Sequence, residues 1–329
     1  MSYTSFKHGY AVESTYGSTA IADTNATAYL LGILSQQSKW PNPTWQALYR
    51  ATGVGAYEVD SGALWKIAQA RTGYFGLALQ NAIPIWLVMG NSSTTGTGPY
   101  THTISAGDLP SITLQHERFG SGDDWAIQYR GVMCANLALE CGQEIFFLRA
   151  DLDWVAQDAV DPGFTLTNDP NLPPTANTDP YLFSQLTRTW DYGGANLALD
   201  GLTHVRVNIS PGLQPLLAHY WDSGVDKSHI PRGYFEAPRR QYTIEFTYHP
   251  ENDDVWDELI STSNTKDLLL KWTRSTDDYI QLVASDCLVV EHETLTPPVG
   301  EALLEKVVLE PRSLTFTVSD QIAGGHYGE

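Results

Sequence analysis

The chain has 329 residues, 42% hydrophobic and 11% aromatic, with 38 Asp+Glu against 19 Lys+Arg and a formal charge of -19. That is enough apolar material for one large domain or two ordinary ones, which excludes a disordered chain. The acidic balance, with no run of four basic residues, excludes a tight nucleic-acid grip through counterion release and an anionic membrane surface as partner.

In chain order, the opening residues 1–18 lack the apolar run of a secretory leader, and no stretch of roughly 18 apolar residues follows. The expectation is a protein made in a cytoplasm and kept soluble until it assembles. Residues 74–79 read as a strand leading into a helix over 81–89, with Pro84 tolerated in its first turn and Gly90 as its stop. A Ser/Thr/Gly loop covers 91–98. Residues 111–116 alternate polar and apolar, as half-buried strands do. The same alternation recurs at 204–209, 242–248 and 313–318. Residues 136–154 form a closing segment of the first half, and 287–318 that of the second.

Between them, 161–180 is rich in Pro and Asn, a loop or linker composition. A second helix is predicted over 251–261, capped by Asn252 or Asp253, with Val255, Trp256, Leu259 and Ile260 on one face. Strand, helix with a central Trp (Trp86, Trp256) and polar loop thus occur twice. The reading is mainly β (α+β), with two tandem modules, 1–165 and 181–329, joined by a linker at 166–180. The words Ala135-Asn136-Leu137-Ala138-Leu139 and Ala195-Asn196-Leu197-Ala198-Leu199 also coincide. The second module carries a long loop, 211–240, with the aromatics Tyr220, Trp221, Tyr234 and Phe235. A loop with such anchors is functional or docked on a partner.

No enzyme constellation stands out. The sequence has no Walker A loop, no nucleophile elbow and no zinc-protease pair, and its nine histidines are scattered. Asp151 and Asp153 share a strand face, as paired glycosidase carboxylates could, but an exposed sheet face explains them as well. Cys134, Cys141 and Cys287 lack zinc spacing and read as small buried hydrophobes. The sequence therefore predicts no catalytic residue, no cofactor and no metal. An alternative is a carbohydrate-binding or glycoside-active β-sandwich, which would set its aromatics along one exposed sheet face beside two carboxylates.

The run Pro99-Tyr100-Thr101-His102-Thr103-Ile104, followed by Leu109-Pro110-Ser111-Ile112-Thr113-Leu114, resembles the tail tube proteins of siphovirus-type phages and archaeal tailed viruses. Tyr129-Arg130-Gly131 is similar to that family's step into a long closing strand. Glu13-Ser14-Thr15-Tyr16-Gly17 is similar to its N-terminal arm. The segment from Gly300-Glu301-Ala302 to Glu310-Pro311 is similar to the stretch before its last strand.

The resemblance implies tail-tube-like β-sandwich or barrel modules, each with one short flanking helix, joined edge to edge into rings that stack as a conduit for the genome. With two modules per chain, the implied partner is the chain itself in trimeric pseudo-sixfold rings, a hexamer being the alternative. Other tail proteins would meet the tube's ends, and viral DNA would pass transiently through it. The protein would be assembled in the host cytoplasm and reside in the virion tail. Candidate subunit contacts are Tyr10 and Tyr16 in the arm and Tyr220, Trp221, Tyr234 and Phe235 in the loop. Another virion structural protein would share the β content without the ring.

Overall fold

The computed structural model describes residues 3–18, 21, 29, 33–34, 45–49, 64–68, 71–120, 125–160, 162–163, 165, 173, 177–191, 193–216, 221–222, 225–226, 233–237, 239–250, 265–295 and 303–328. The chain is mainly β, with strands paired antiparallel throughout.

The first half holds β1 (Tyr3–Val12), β2 (Ile33–Leu34), β3 (Trp45–Tyr49), β4 (Leu64–Ala68), β5 (Arg71–Ala78) and α1 (Ile83–Met89). It continues with β6 (Gly90–Thr95), β7 (Tyr100–Ala106), β8 (Ile112–Gly120), β9 (Trp125–Gly142), β10 (Arg149–Ala156) and β11 (Asp158–Val160). The second holds β12 (Leu186–Trp190), β13 (Leu197–Ala198), β14 (Leu202–Ser210), β15 (Gln214–Leu216), β16 (Trp221–Asp222) and β17 (Val225–Asp226). It ends with β18 (Gly233–Phe235), β19 (Gln241–Tyr248), β20 (Lys266–Ser275), β21 (Asp278–Leu295), β22 (Leu304–Glu310) and β23 (Ser313–Asp320). The second predicted helix, 251–261, lies outside the described residues, as does Trp256.

The predicted helix at 81–89 forms as α1. Asn81 Oδ1 accepts from the Ile83 N–H at 3.0 Å, satisfying one orphan donor of the first turn. Gly90, at φ 91, ends it where any Cβ would meet the Asp108 and Gly107 carbonyls at 2.4 Å. Arg240, from the long loop of the second half, donates to the carbonyls of Met89 and Gly107, a cation at the negative end of the helix. All seven helical residues are buried, so α1 has no polar face. The flanking helix expected from the resemblance is an interior one, packed against β9, β7 and β6.

The strands form two sets with the same connections. β9 and β21 are the long strands, each with 18 residues. The first part of β9 pairs with β8 and β11, and that of β21 with β20 and β23. The last part of β9 pairs with β10, which pairs with β5, which pairs with β2. The last part of β21 pairs with β22, which pairs with β19, which pairs with β14.

Irregularities match as well. The β9–β10 ladder skips Ala135 and the β21–β22 ladder skips Val290. The β8–β9 ladder skips Thr113 and the β20–β21 ladder skips Asp267. Gly131 and Asp286, at the matching bends of the two long strands, both have positive φ, 59° and 52°. There each strand leaves one sheet for another, as corner strands do through bulges and bends.

The two sets meet in one ladder, because β14 also pairs with the end of β9, from His204 opposite Gly142 to Ile209 opposite Leu137. The result is a continuous sheet of eight strands in the order β21, β22, β19, β14, β9, β10, β5, β2. One face lies on the core, where Leu137, Leu139, Leu152, Trp154, Val207, Phe246 and Leu309 are all buried. The outer layers are β1, β8, β9, β11 and β13, β12, β20, β21, β23, β7, β6; β7 from the first half there pairs with β23.

Candidate functional site

The other face of the eight-stranded sheet is the extended surface the fold presents. Period-two alternation puts one residue in two outward, and cross-strand register stacks the outward residues in rows. One row runs Asp151, Ala138, Asn208, Thr243; the next runs Arg149, Glu140, Arg206, Glu245, Val308, Glu291. A third joins His204, Thr247, Lys306 and Glu293. Among the described residues this face carries the carboxylates of Glu140, Asp151, Asp153, Glu245, Glu291, Glu293 and Glu310. Against them stand Arg149, Arg206 and Lys306.

The cations are engaged locally. Arg149 bridges Glu140 and Asp151, the latter at 3.0 Å, and the Tyr74 hydroxyl donates to Asp151 at 2.9 Å. Lys306 lies 3.5 Å from Glu245, and Arg206 Nε donates to Asn208 at 3.1 Å. Asp151 and Asp153 do share this face, as their spacing predicts. Burial raises the Asp153 carboxyl above its usual value, against the opposing effect of the Asn136 hydrogen bond.

Glu140 sits on the seam between the two sets of strands. Its carboxylate faces Arg149 on β10 and His204 Nε2 on β14, the latter at 2.9 Å. Burial pushes its pKa up, but the His204 hydrogen bond and the Arg149 charge outweigh that and hold it below the ordinary carboxylate value. A depressed folded value means that the stabilisation is complete above the unfolded pKa and is lost as pH falls through the folded one. Glu140→Gln is expected to lower unfolding free energy by about 1–2 kcal/mol at neutral pH. The difference from wild type should shrink on acidification in denaturant titrations. A constant difference from pH 7 to pH 3 would refute the assignment.

The predicted contact aromatics fall in different places. Tyr10 is 2% exposed, opposite Leu114 and 6.4 Å from the Tyr29 ring, inside its own chain's core. Alternation along β1 turns it inward, and Trp190 holds the matching place on β12, opposite Leu268. Tyr16 and Tyr234 meet edge to face at 6.4 Å, and the Tyr234 hydroxyl donates to the Ala156 carbonyl at 3.2 Å. The arm and the long loop therefore close together over β9 and β10. Trp221 and Phe235 lie in β16 and β18, with their side chains outside the described residues, and Tyr220 lies wholly outside.

Two buried polar clusters escaped sequence reasoning. Glu13 accepts four hydrogen bonds, from Gly17 N, Ser111 Oγ, Thr113 Oγ1 and Gly131 N, at 2.8–2.9 Å. Thr94 Oγ1 lies 2.7 Å from His102 Nδ1, whose Nε2 is 3.0 Å from Asp320, and Tyr327 donates to the same carboxylate at 2.9 Å. Hydroxyl, imidazole and carboxylate in series are the parts of a nucleophilic triad. Here His102 is fully buried, with the Tyr327 ring 4.2 Å away, so the cluster ties the C-terminal turn and β23 to β7. The three cysteines are buried and unpaired, and burial pushes the Cys141 and Cys287 thiols up to about 12. Among the described residues no three His, Cys, Asp or Glu side chains converge as a metal site.

No family model matches the chain, and no curated protein does. Among solved structures it is similar to a chain of the virion of a native gene transfer agent particle. The TM-score is 0.31 at 11% identity, over 41% of this chain and 98% of that one. A likeness at that level is too weak to carry a functional argument.

Proposed function

We propose that this chain is a non-enzymatic structural subunit of a virion tail tube, assembled in the host cytoplasm as stacked rings around a conduit for the genome. The observation that carries the reading is the eight-stranded sheet. It consists of two four-stranded units related by the same connections and the same bulges, already joined edge to edge within one chain. Such a joint is heterologous: one unit offers β14 and the other the end of β9. Repeated around an axis, a heterologous joint closes a ring when its rotation is a whole fraction of a turn. Three chains then supply six units in a pseudo-sixfold ring whose wall is continuous sheet.

The acidic face suits the inside of that wall. Carboxylates repel phosphate, and the bases among them are held by neighbouring acids or amides, so passing DNA meets few free cations that could displace its counterions. Other tail proteins would close the two ends of the tube.

Negative-stain microscopy and native mass spectrometry of the purified protein test this. Expected are hollow tubes that dissociate into rings of three 36.4 kDa chains. Six chains per ring would overturn the stoichiometry. A protein that stays monomeric at every concentration, or binds glycans in a cleft, would overturn the reading itself.

A further inference from the structure

We propose that the groove where β7 and β23 diverge binds an acidic, partly apolar peptide segment of a second protein; the proposal goes beyond the tube reading and does not depend on it. The last pair of the β7–β23 ladder is Ile104 opposite Phe316. Past it, β7 stays with β6, Ser105 opposite Asn91, while residues 313–315 stay with β21. Between them opens a groove of about 530 Å³, lined as well by Arg239, Arg240, Arg312 and by Tyr242 of β19. A second hollow of about 370 Å³ shares Arg239 and Arg312 with it and continues to Asp286, Leu288 and Glu310.

The chain carries a net charge of -19, yet the first groove gathers three arginines against two carboxylates, Asp108 and Glu236. Glu236 is engaged: it accepts from Arg240 Nη2 and from the Leu109 N–H, both at 2.9 Å. Arg240 is engaged too, being 9% exposed and donating to the Met89 and Gly107 carbonyls. Arg239 is exposed and, among the described residues, has no acid paired with it. Arg312 is exposed as well, and its contact is Asp286 Oδ2 at 3.5 Å, a surface pair of the kind that contributes little. Two guanidinium groups therefore stand at the junction of the hollows, and a guanidinium fork matches a carboxylate with two parallel hydrogen bonds.

The rest of the lining indicates what carries that carboxylate. Leu288, 42% exposed, puts a large apolar side chain in the same hollow as the two arginines. Asp286 and Glu310 flank it and repel a second negative charge, which disfavours a string of phosphates. Residues 313–315 have β21 on one side and, among the described residues, no strand on the other. Their open backbone groups suit an extended main chain laid along the groove. One carboxylate, one neighbouring apolar side chain and a stretch of extended backbone describe an acidic peptide rather than a nucleic acid or a free anion.

Fluorescence anisotropy with the full-length chain tests this. The probe is a short labelled peptide with blocked ends, carrying one glutamate beside one leucine in a Gly/Ser background. Saturable binding is expected, about tenfold weaker when glutamine replaces the peptide's glutamate. The double variant Arg239→Ala/Arg312→Ala should lose affinity by the same factor, and Leu288→Ser should lose part of it. All three side chains are exposed, so the variants should keep the wild-type circular dichroism. No saturable binding at millimolar peptide, equal binding of the glutamine peptide, or unchanged affinity in the double variant would overturn the proposal. So would displacement of the peptide by equimolar inorganic phosphate, which would make the groove a simple anion site, or tighter binding of a single-stranded oligonucleotide.

Discussion

Glu13→Ala is expected to destabilise the folded chain by about 3–5 kcal/mol, because it leaves four donors buried without their acceptor. Glu13 is 8% exposed, and each of its oxygens accepts two hydrogen bonds. The donors come from three places: the arm at Gly17, the start of β8 at Ser111 and Thr113, and the bend of β9 at Gly131. One carboxylate therefore pins the arm to the point where β9 changes sheets. Glu13→Gln keeps one acceptor oxygen and turns an amide N–H₂ toward donors, so about half the loss is expected. Urea unfolding followed by tryptophan fluorescence measures both, and a loss under about 1 kcal/mol for the alanine variant would show that the hub does not hold the bend.

Gly131→Val and Asp286→Gly should have unequal consequences although the two positions are counterparts. Gly131 has φ 59°, and a Cβ there would lie 2.8 Å from Gln157 Cβ and 2.9 Å from the Tyr16 ring. A β-branched residue is strained in the left-handed region even in open space, so strain and overlap together should cost about 3 kcal/mol or more. Asp286 has φ 52° and lines an open groove with Arg239, Leu288, Glu310 and Arg312. Glycine there relieves left-handed strain of about 1–2 kcal/mol. It also gives up the weak contacts from Thr265 and Arg312 at 3.4 and 3.5 Å. The expected change is within about 1 kcal/mol of zero. Equal losses at the two sites in thermal unfolding would contradict the difference in cover between the two bends.

Local periodicity made much of this chain legible. Alternation at 111–116, 204–209, 242–248 and 313–318 marked β8, β14, β19 and β23, since side-chain direction in a strand follows from backbone geometry alone. Pro84 and Gly90 marked the ends of α1 for the same local reason. The acidic count anticipated a face with more carboxylates than bases. Sequence likeness was a poor guide to structural equivalence: the shared five-residue words lie in β9 and across β13, whereas Ala135 is matched by Val290.

Tertiary structure alone decided the rest. That β14 completes the sheet of β9, that β7 joins β23, that Arg240 caps α1 and that Tyr10 turns into the core are contacts between segments far apart in the chain. A strand's alternation shows which side chains face inward but leaves its neighbour unspecified, because each ladder edge offers the same backbone donors and acceptors. The hubs at Glu13 and Asp320 were hidden for a related reason. Besides the local Gly17 and Tyr327, Glu13 has partners 98–118 residues away and Asp320 has His102 218 residues away, and a carboxylate becomes an anchor only where folding removes water and converges donors upon it.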